Sequence, residues 1–217
     1  DVCSSDLDLM AAVPSVVYGL WGLFFLQGQI IGLSRWLTTW FGWFPLFKVS
    51  GDDPTSPISS GTVYTASTFI AGVVVSMMVM PIACSVMREV FSQTPPGEKE
   101  GALALGGTRW GVIREVVLPF GRSGIIGGSM LGLGRALGET IAVTLLISVA
   151  FDWKWSVIRQ GGNSIAAHIA LRFSESTSFG ISALMAAGLV LFAITLAVNA
   201  AASVVVARSR SGAATEI

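Results

Sequence analysis

The chain has 217 residues, of which 53% are hydrophobic and 12% are charged. A typical soluble domain has about 25% charged residues, so this composition excludes an ordinary soluble protein. The formal net charge is zero and gives no indication of a nucleic-acid partner. Seven Trp and 25 Gly are typical of membrane helices, in which Trp lies at the interfaces and Gly allows close helix contact.

The first seven residues differ from the rest of the chain. Residues 1–7 match what a common sequencing-adapter oligonucleotide encodes in one reading frame, and no Met starts the chain. We interpret them as an assembly artefact and expect a fragment without its true N-terminus. Without Cys3 the remaining cysteine is Cys84, which lies in an apolar segment, so no disulfide is predicted.

Four apolar segments are long enough, or nearly so, to cross a bilayer as helices, which takes roughly 20 residues. They are residues 9–33, 62–87, 123–151 and 176–207. Pro14 lies in the first turns of the first segment, where a missing N–H is tolerated, whereas Pro81 is expected to kink the second. The sequence therefore predicts an all-α membrane protein with four transmembrane helices in a permease domain over residues 8–210, followed by a polar tail, 211–217.

The third segment carries two charges in its middle, Arg135 and Glu139, with uncharged residues on both sides. Each flank reaches roughly 18 Å at 1.5 Å per residue, which places the pair near the membrane midplane. Burying a charge there is unfavourable by roughly 2.5–3.5 kcal/mol. Residues at i and i+4 share a helical face, so one interpretation is a structural ion pair. The other is an anion pathway, because a planar guanidinium suits an oxyanion such as phosphate, and Glu139 then holds Arg135 or weakens its grip.

The connections between the segments give a weak prediction of orientation. Connection 88–122 and the tail hold seven Lys and Arg, against five in the other loops, which favours a cytoplasmic position for 88–122. Connection 34–61 contains several Trp and is expected to begin along the membrane interface. Residues 164–173 form a short amphipathic stretch, and His168 is interpreted as a residue of its polar face.

The segment 98–119 is polar enough to lie in water. Ala and Leu after Glu100 favour a helix, two glycines interrupt it, and Thr108 is a candidate cap for a second helix over 109–116. Pro119 is expected to end that second helix before the membrane. On composition alone, this helix–turn–helix is equally well explained as a solvated connector.

The spacing in this segment resembles the coupling motif of ABC-importer permeases. That motif is Glu-Ala-Ala, three residues, Gly, nine residues, Ile, one residue, Leu-Pro. The matching residues are Glu100, Gly101, Ala102, Gly106, Val116, Leu118 and Pro119. Gly101 for Ala and Val116 for Ile are mild departures. The resemblance implies a cytoplasmic coupling helix that docks into a cleft of a separate ATPase subunit.

Further segments narrow the resemblance. Residues 13–22, 104–110, 133–143 and 188–192, together with Asn199, resemble the permeases of the phosphate-specific ABC importers, closest to the C-type (PstC-type) subunit. This implies a type I permease core, multi-pass in the bacterial cytoplasmic membrane. It also implies a second permease subunit (PstA-like), ATPase subunits (PstB-like) that use the ATP, and an external phosphate-binding protein (PstS-like), with no nucleic acid.

For the substrate pathway, the resemblance favours Arg135 and Glu139. Ser15, Tyr18 and Thr140 have hydroxyls that can contact a passing oxyanion, although a hydroxyl bonded within its own helix is the simpler interpretation of each. The sequence has no phosphate-binding Gly-rich loop followed by Lys and Ser or Thr, so ATP hydrolysis is expected on another chain. We expect no catalytic residue, metal or cofactor on this one.

Three alternative functions remain open at this point. The same architecture could carry another oxyanion, such as molybdate or sulfate. A channel or secondary transporter would run without ATP and would have no use for the coupling motif. A non-transporting sensor or assembly protein would use Arg135 and Glu139 only as a structural pair.

Overall fold

The computed structural model describes residues 12–49 and 61–210. Residues 1–7, the start of the first predicted span and the tail 211–217 lie outside the described residues. The helices are α1 (Ser15–Phe41), α2 (Thr68–Ser92), α3 (Pro96–Ala104), α4 (Arg109–Leu137), α5 (Ile141–Leu146), α6 (Ile165–Arg172) and α7 (Ser178–Arg210). Short 3-10 helices lie at Gly61–Tyr64 and Phe173–Glu175.

Four of these helices, α1, α2, α4 and α7, are long and apolar enough to cross a membrane. The β-structure of the described residues consists of isolated bridges, such as the one between Ser67 and Gln160. The predicted all-α class with four membrane helices is therefore confirmed.

The ends of the first two membrane helices differ from the predicted ones. Helix α1 continues to Phe41, so the beginning of connection 34–61 is helical. Its polar residues do not end it because they bond along the helix, as the Thr38 hydroxyl does to the Ser34 carbonyl at 2.9 Å. Helix α2 begins at Thr68 rather than at residue 62 and continues past Arg88 to Ser92, since a helix need not end where its apolar part does.

The prediction that Pro119 ends a helix is wrong. A π turn, Ile113–Val117, precedes it, in which the Leu118 N–H bonds to the carbonyl of Ile113, and the helix then continues to Leu137. A π turn replaces regular i→i−4 bonds by longer ones, just before the position where proline has no N–H to donate. The second helix of the polar segment and the third membrane helix are thus one element, α4.

The predicted third span, 123–151, is not a single helix. Helix α4 ends at Leu137, and α5 begins at Ile141. Gly138 is a poor helix former, and the Glu139 carboxylate accepts a hydrogen bond from the backbone N–H of Ala142 at 3.2 Å, which stabilises a new helix start. The premise that Arg135 and Glu139 share one helical face is therefore wrong.

The chain divides into two compact units. Among the described residues, unit 1 contains residues 79–137 and 193–210, and unit 2 contains residues 13–49, 61–78 and 138–192. In unit 1, α4 packs on the C-terminal part of α2 through buried glycines. An ideal Cβ on Gly124 would lie 2.5 Å from the Cβ of Val90, and one on Gly132 would lie 2.6 Å from Val79. The glycines therefore allow the close contact that small residues provide in membranes.

In unit 2, α1 packs closely on α5. An ideal Cβ on Gly19 would lie 3.0 Å from the Cα of Ala142. Ile70, Val74 and Leu146 are buried in the hydrophobic core beside this contact. The connecting loops join through backbone hydrogen bonds around a second core of Val49, Tyr64 and Ile158. The connecting loops of unit 2 are thus joined to one another by backbone hydrogen bonds.

Candidate functional site

Residues 98–119, which we call the coupling segment after the motif they resemble, form the helix–turn–helix that the sequence predicts. Helix α3 has no buried residue, and Gly106 follows it with φ at +84°, a conformation that favours glycine. The Thr108 side chain accepts a hydrogen bond from the N–H of Gly111 at 3.1 Å and so caps α4. The predicted cap is confirmed.

The surface of this segment carries exposed apolar side chains. Leu105 is 91% exposed and Trp110 is 68% exposed, with Leu103 also on the surface. Large apolar side chains that stay exposed in a polar segment are candidates for an interaction site. Glu100 and Gly101 are exposed beside them, while Ala102 is half-buried. Of the remaining motif residues, Val116 is half-buried, and Leu118 and Pro119 are exposed on α4.

Arg135 lies in the last turn of α4 and lines a cavity of about 370 Å³ within unit 1. The other lining residues are Ile82, Leu131, Gly134, Thr195 and Asn199. Arg135 is exposed, and the described residues of unit 1 give it no ion-pair partner. The guanidinium is therefore available to a ligand from this cavity.

The depth of the cavity follows from α2. Ile82 lies six residues before Arg88, the first charged residue of α2, which is about 9 Å along the helix axis. The hydrocarbon core of a bilayer is about 30 Å thick. If α2 crosses the membrane, the cavity therefore lies inside the hydrocarbon core, nearer to the end of α2 that carries Arg88 than to mid-depth. The predicted mid-depth position rested on two uncharged helical flanks, and the second, residues 140–151, is not a continuous helix.

The other four predicted pathway residues, Ser15, Tyr18, Glu139 and Thr140, belong to unit 2. Glu139 is half-buried and bonds the start of α5, and the Thr140 hydroxyl donates to the carbonyl of Gly138 at 3.2 Å. Ser15 is half-buried at the start of α1, and Tyr18 packs against the hydrophobic core. Glu139 and Thr140 thus have local hydrogen bonds and Tyr18 has a packing role, and the place of all four residues on a pathway stays a prediction.

Two residues of the Arg135 cavity were missed as site residues from the sequence, Thr195 and Asn199. Asn199 is the only amide side chain in the apolar sequence of α7, which is the signal that could have found it. Thr195 lies four residues before it, on the same face of the helix. The expectations of no metal, cofactor or catalytic residue on this chain stay predictions.

Comparisons with known proteins agree with this architecture. A family described as "Binding-protein-dependent transport system inner membrane component" matches residues 6–211. The chain is 47% identical over 198 residues to the phosphate transport system permease protein PstC 2 of Mycobacterium tuberculosis, covering 90% of this chain and 58% of the relative.

Two further relatives carry the same kind of name. The chain is 44% identical over 211 residues to the phosphate transport system permease protein PstC of Mycobacterium leprae, covering 96% of this chain and 62% of that protein. It is 43% identical over 193 residues to the phosphate transport system permease protein PstC of Pasteurella multocida, covering 88% of this chain and 58% of that protein. The chain thus spans about three fifths of the length of these relatives. The family match covers nearly the whole chain, and the chain belongs to the inner membrane components of binding-protein-dependent transport systems.

Proposed function

We propose that this chain forms part of the permease of an ATP-driven importer that moves inorganic phosphate across the cytoplasmic membrane. The relatives that carry the name of phosphate transport permeases support the substrate. The observation that carries the proposal is Arg135, a guanidinium beside a cavity of about 370 Å³ between apolar helices, without a carboxylate partner in its unit. A permanently charged planar fork of donors suits a tetrahedral oxyanion.

The coupling segment supports the ATP-driven mechanism. The exposed Leu105 and Trp110 offer an apolar surface to an ATPase subunit (PstB-like). Four residues separate the end of α3 at Ala104 from the start of α4 at Arg109, and α4 continues without interruption to Leu137. A displacement of α3 by the ATPase would therefore pass along one helix to Arg135, which lies 26 residues or about 39 Å beyond Arg109.

The complete transporter would contain further chains. A second permease subunit (PstA-like) would complete the pathway, and an external phosphate-binding protein (PstS-like) would deliver the anion. Alternating access then follows from ATP-driven closure of the ATPase pair, which tilts α4 and moves the Arg135 cavity between the two sides of the membrane. Among the alternatives, the coupling segment argues against a channel or secondary transporter, which needs no ATPase.

An uptake experiment with the complete complex tests this proposal. Proteoliposomes loaded with ATP should accumulate labelled phosphate, and an excess of unlabelled phosphate should compete, whereas sulfate and molybdate should not. An ATPase subunit without hydrolytic activity is the control and should abolish uptake. Uptake that persists with this inactive ATPase would contradict the ATP-driven mechanism. If sulfate or molybdate competed more strongly than unlabelled phosphate, the assignment of phosphate as the substrate would be contradicted.

A further inference from the structure

We propose that Asn199 contacts the transported anion beside Arg135 and favours anions that carry a proton, such as phosphate, over fully deprotonated ones, such as sulfate. This inference rests on the function proposed above and assigns a role to a residue of the same cavity. Two observations carry it: the position of the Asn199 amide and its lack of a local hydrogen-bond partner.

The side-chain amide of Asn199 lies close to Gly134. An ideal Cβ on Gly134 would lie 3.4 Å from Oδ1 and 4.0 Å from Nδ2 of Asn199. The amide of α7 therefore lies against the backbone of α4, one residue before Arg135. Both polar side chains line the same cavity, with Ile82 and Leu131 as its apolar walls.

The amide is not used to hold the two helices together. Within the described residues, Asn199 makes no hydrogen bond, whereas other polar side chains of α7, such as Ser182 and Ser203, bond to carbonyls of their own helix at 3.1 and 2.8 Å. A polar side chain within a membrane helix is unfavourable unless it finds a partner. An anion held by Arg135 would supply that partner.

The chemistry of an amide adds what a guanidinium lacks. Arg135 has only N–H donors, so it binds phosphate and sulfate in the same way. Asn199 has two N–H donors and a carbonyl acceptor. Near neutral pH, inorganic phosphate carries at least one P–OH group that donates to such an acceptor, while sulfate carries none. Sulfate can therefore only accept from the amide N–H, whereas phosphate can also donate to the amide oxygen, so the amide favours phosphate by one hydrogen bond.

A direct binding experiment separates this role from that of the external binding protein. The purified complex of both permeases and the ATPase pair, without the binding protein, is titrated into inorganic phosphate, and line broadening is followed by phosphorus NMR. Sulfate and arsenate are added as competitors, because arsenate carries a proton as phosphate does. The variants are Asn199→Leu and Asn199→Ala, and Ser203→Ala is the matched control on the same helix.

We expect both Asn199 variants to weaken phosphate binding about 10- to 100-fold, as expected for one lost hydrogen bond to a charged group. In the same variants, the ratio of the affinities for phosphate and arsenate to the affinity for sulfate should also fall. The Ser203→Ala variant should bind all three anions as the wild type does. ATPase activity of the complex reports assembly, and the smaller Asn199→Ala variant decides if Asn199→Leu does not assemble. Phosphate binding and selectivity within twofold of wild type in the assembled variant would overturn the proposal.

Failure of the underlying function gives a different result. If the wild-type complex does not broaden the phosphate line, or if Arg135→Ala binds phosphate as the wild type does, the proposed anion site itself is wrong. If the wild type binds, Arg135→Ala does not, and Asn199 variants are unaffected, only the role of Asn199 is wrong.

Discussion

The Glu139 carboxylate and the backbone N–H of Ala142 are joined by a hydrogen bond of 3.2 Å. This bond occurs at the start of α5, directly after the break that ends α4. It gives Glu139 a structural role that needs an oxygen acceptor but not a negative charge.

Replacing Glu139 should therefore separate the acceptor from the charge. Glu139→Ala removes the bond at the start of α5 and should destabilise the fold by about 1 kcal/mol, the typical effect of a lost helix cap. Glu139→Gln keeps an oxygen acceptor at the same position. Its free energy of unfolding should lie within about 0.5 kcal/mol of that of the wild type. Thermal unfolding of the purified complex measures both. A Gln variant as unstable as the Ala variant would contradict this role.

The glycine contact between α4 and α2 gives a second prediction. An ideal Cβ on Gly128 would lie 2.8 Å from the carbonyl oxygen of Ala83, so Gly128→Ala requires a backbone shift. We expect a loss of about 1–3 kcal/mol in stability, as for other overpacked sites. Gly127→Ala is the matched control on the same helix, because no atom lies within 4 Å of its Cβ position. Equal melting temperatures for the two variants in detergent would argue against the close contact.

The turn after α3 gives a third prediction. Gly106 has φ at +84°, where alanine is strained, so Gly106→Ala should cost about 1–2 kcal/mol and displace α3 from its position before α4. Gly101→Ala is the control, since Gly101 lies within α3 with open space around it. We expect the Gly106 variant to lose transport-coupled ATPase activity and the Gly101 variant to keep it. Equal activities would show that the turn does not position the coupling segment.

Part of this architecture could be predicted from the sequence because it depends on local composition. Long apolar runs predict the four membrane helices, and Thr108 after two glycines predicts the cap of α4. The continuation of α4 past Pro119 could not be predicted, since it depends on a π turn that the residue types do not require. The break after Leu137 depends on whether the Glu139 carboxylate bonds to Ala142 or faces away, and both are compatible with the sequence.

The site was only partly predictable for a related reason. Arg135 was identified because a charge in an apolar segment is unusual wherever its helix packs. Asn199 is also unusual in α7, but its link to Arg135 comes from the contact of its amide with Gly134, which sequence spacing cannot give. The grouping of Arg135 with Glu139 rested on a continuous helix that the chain does not form.

Phosphate uptake by the complete complex containing Arg135→Ala tests the anion pathway most directly. Arg122→Ala, on the same helix but outside the cavity, is the matched control, and Arg135→Lys keeps the charge without the planar fork. We predict that Arg135→Ala lowers uptake about 10- to 100-fold at equal assembly and ATPase activity, that Arg135→Lys is intermediate, and that Arg122→Ala is unchanged. Wild-type uptake by Arg135→Ala would contradict the pathway and make Arg135 a structural residue.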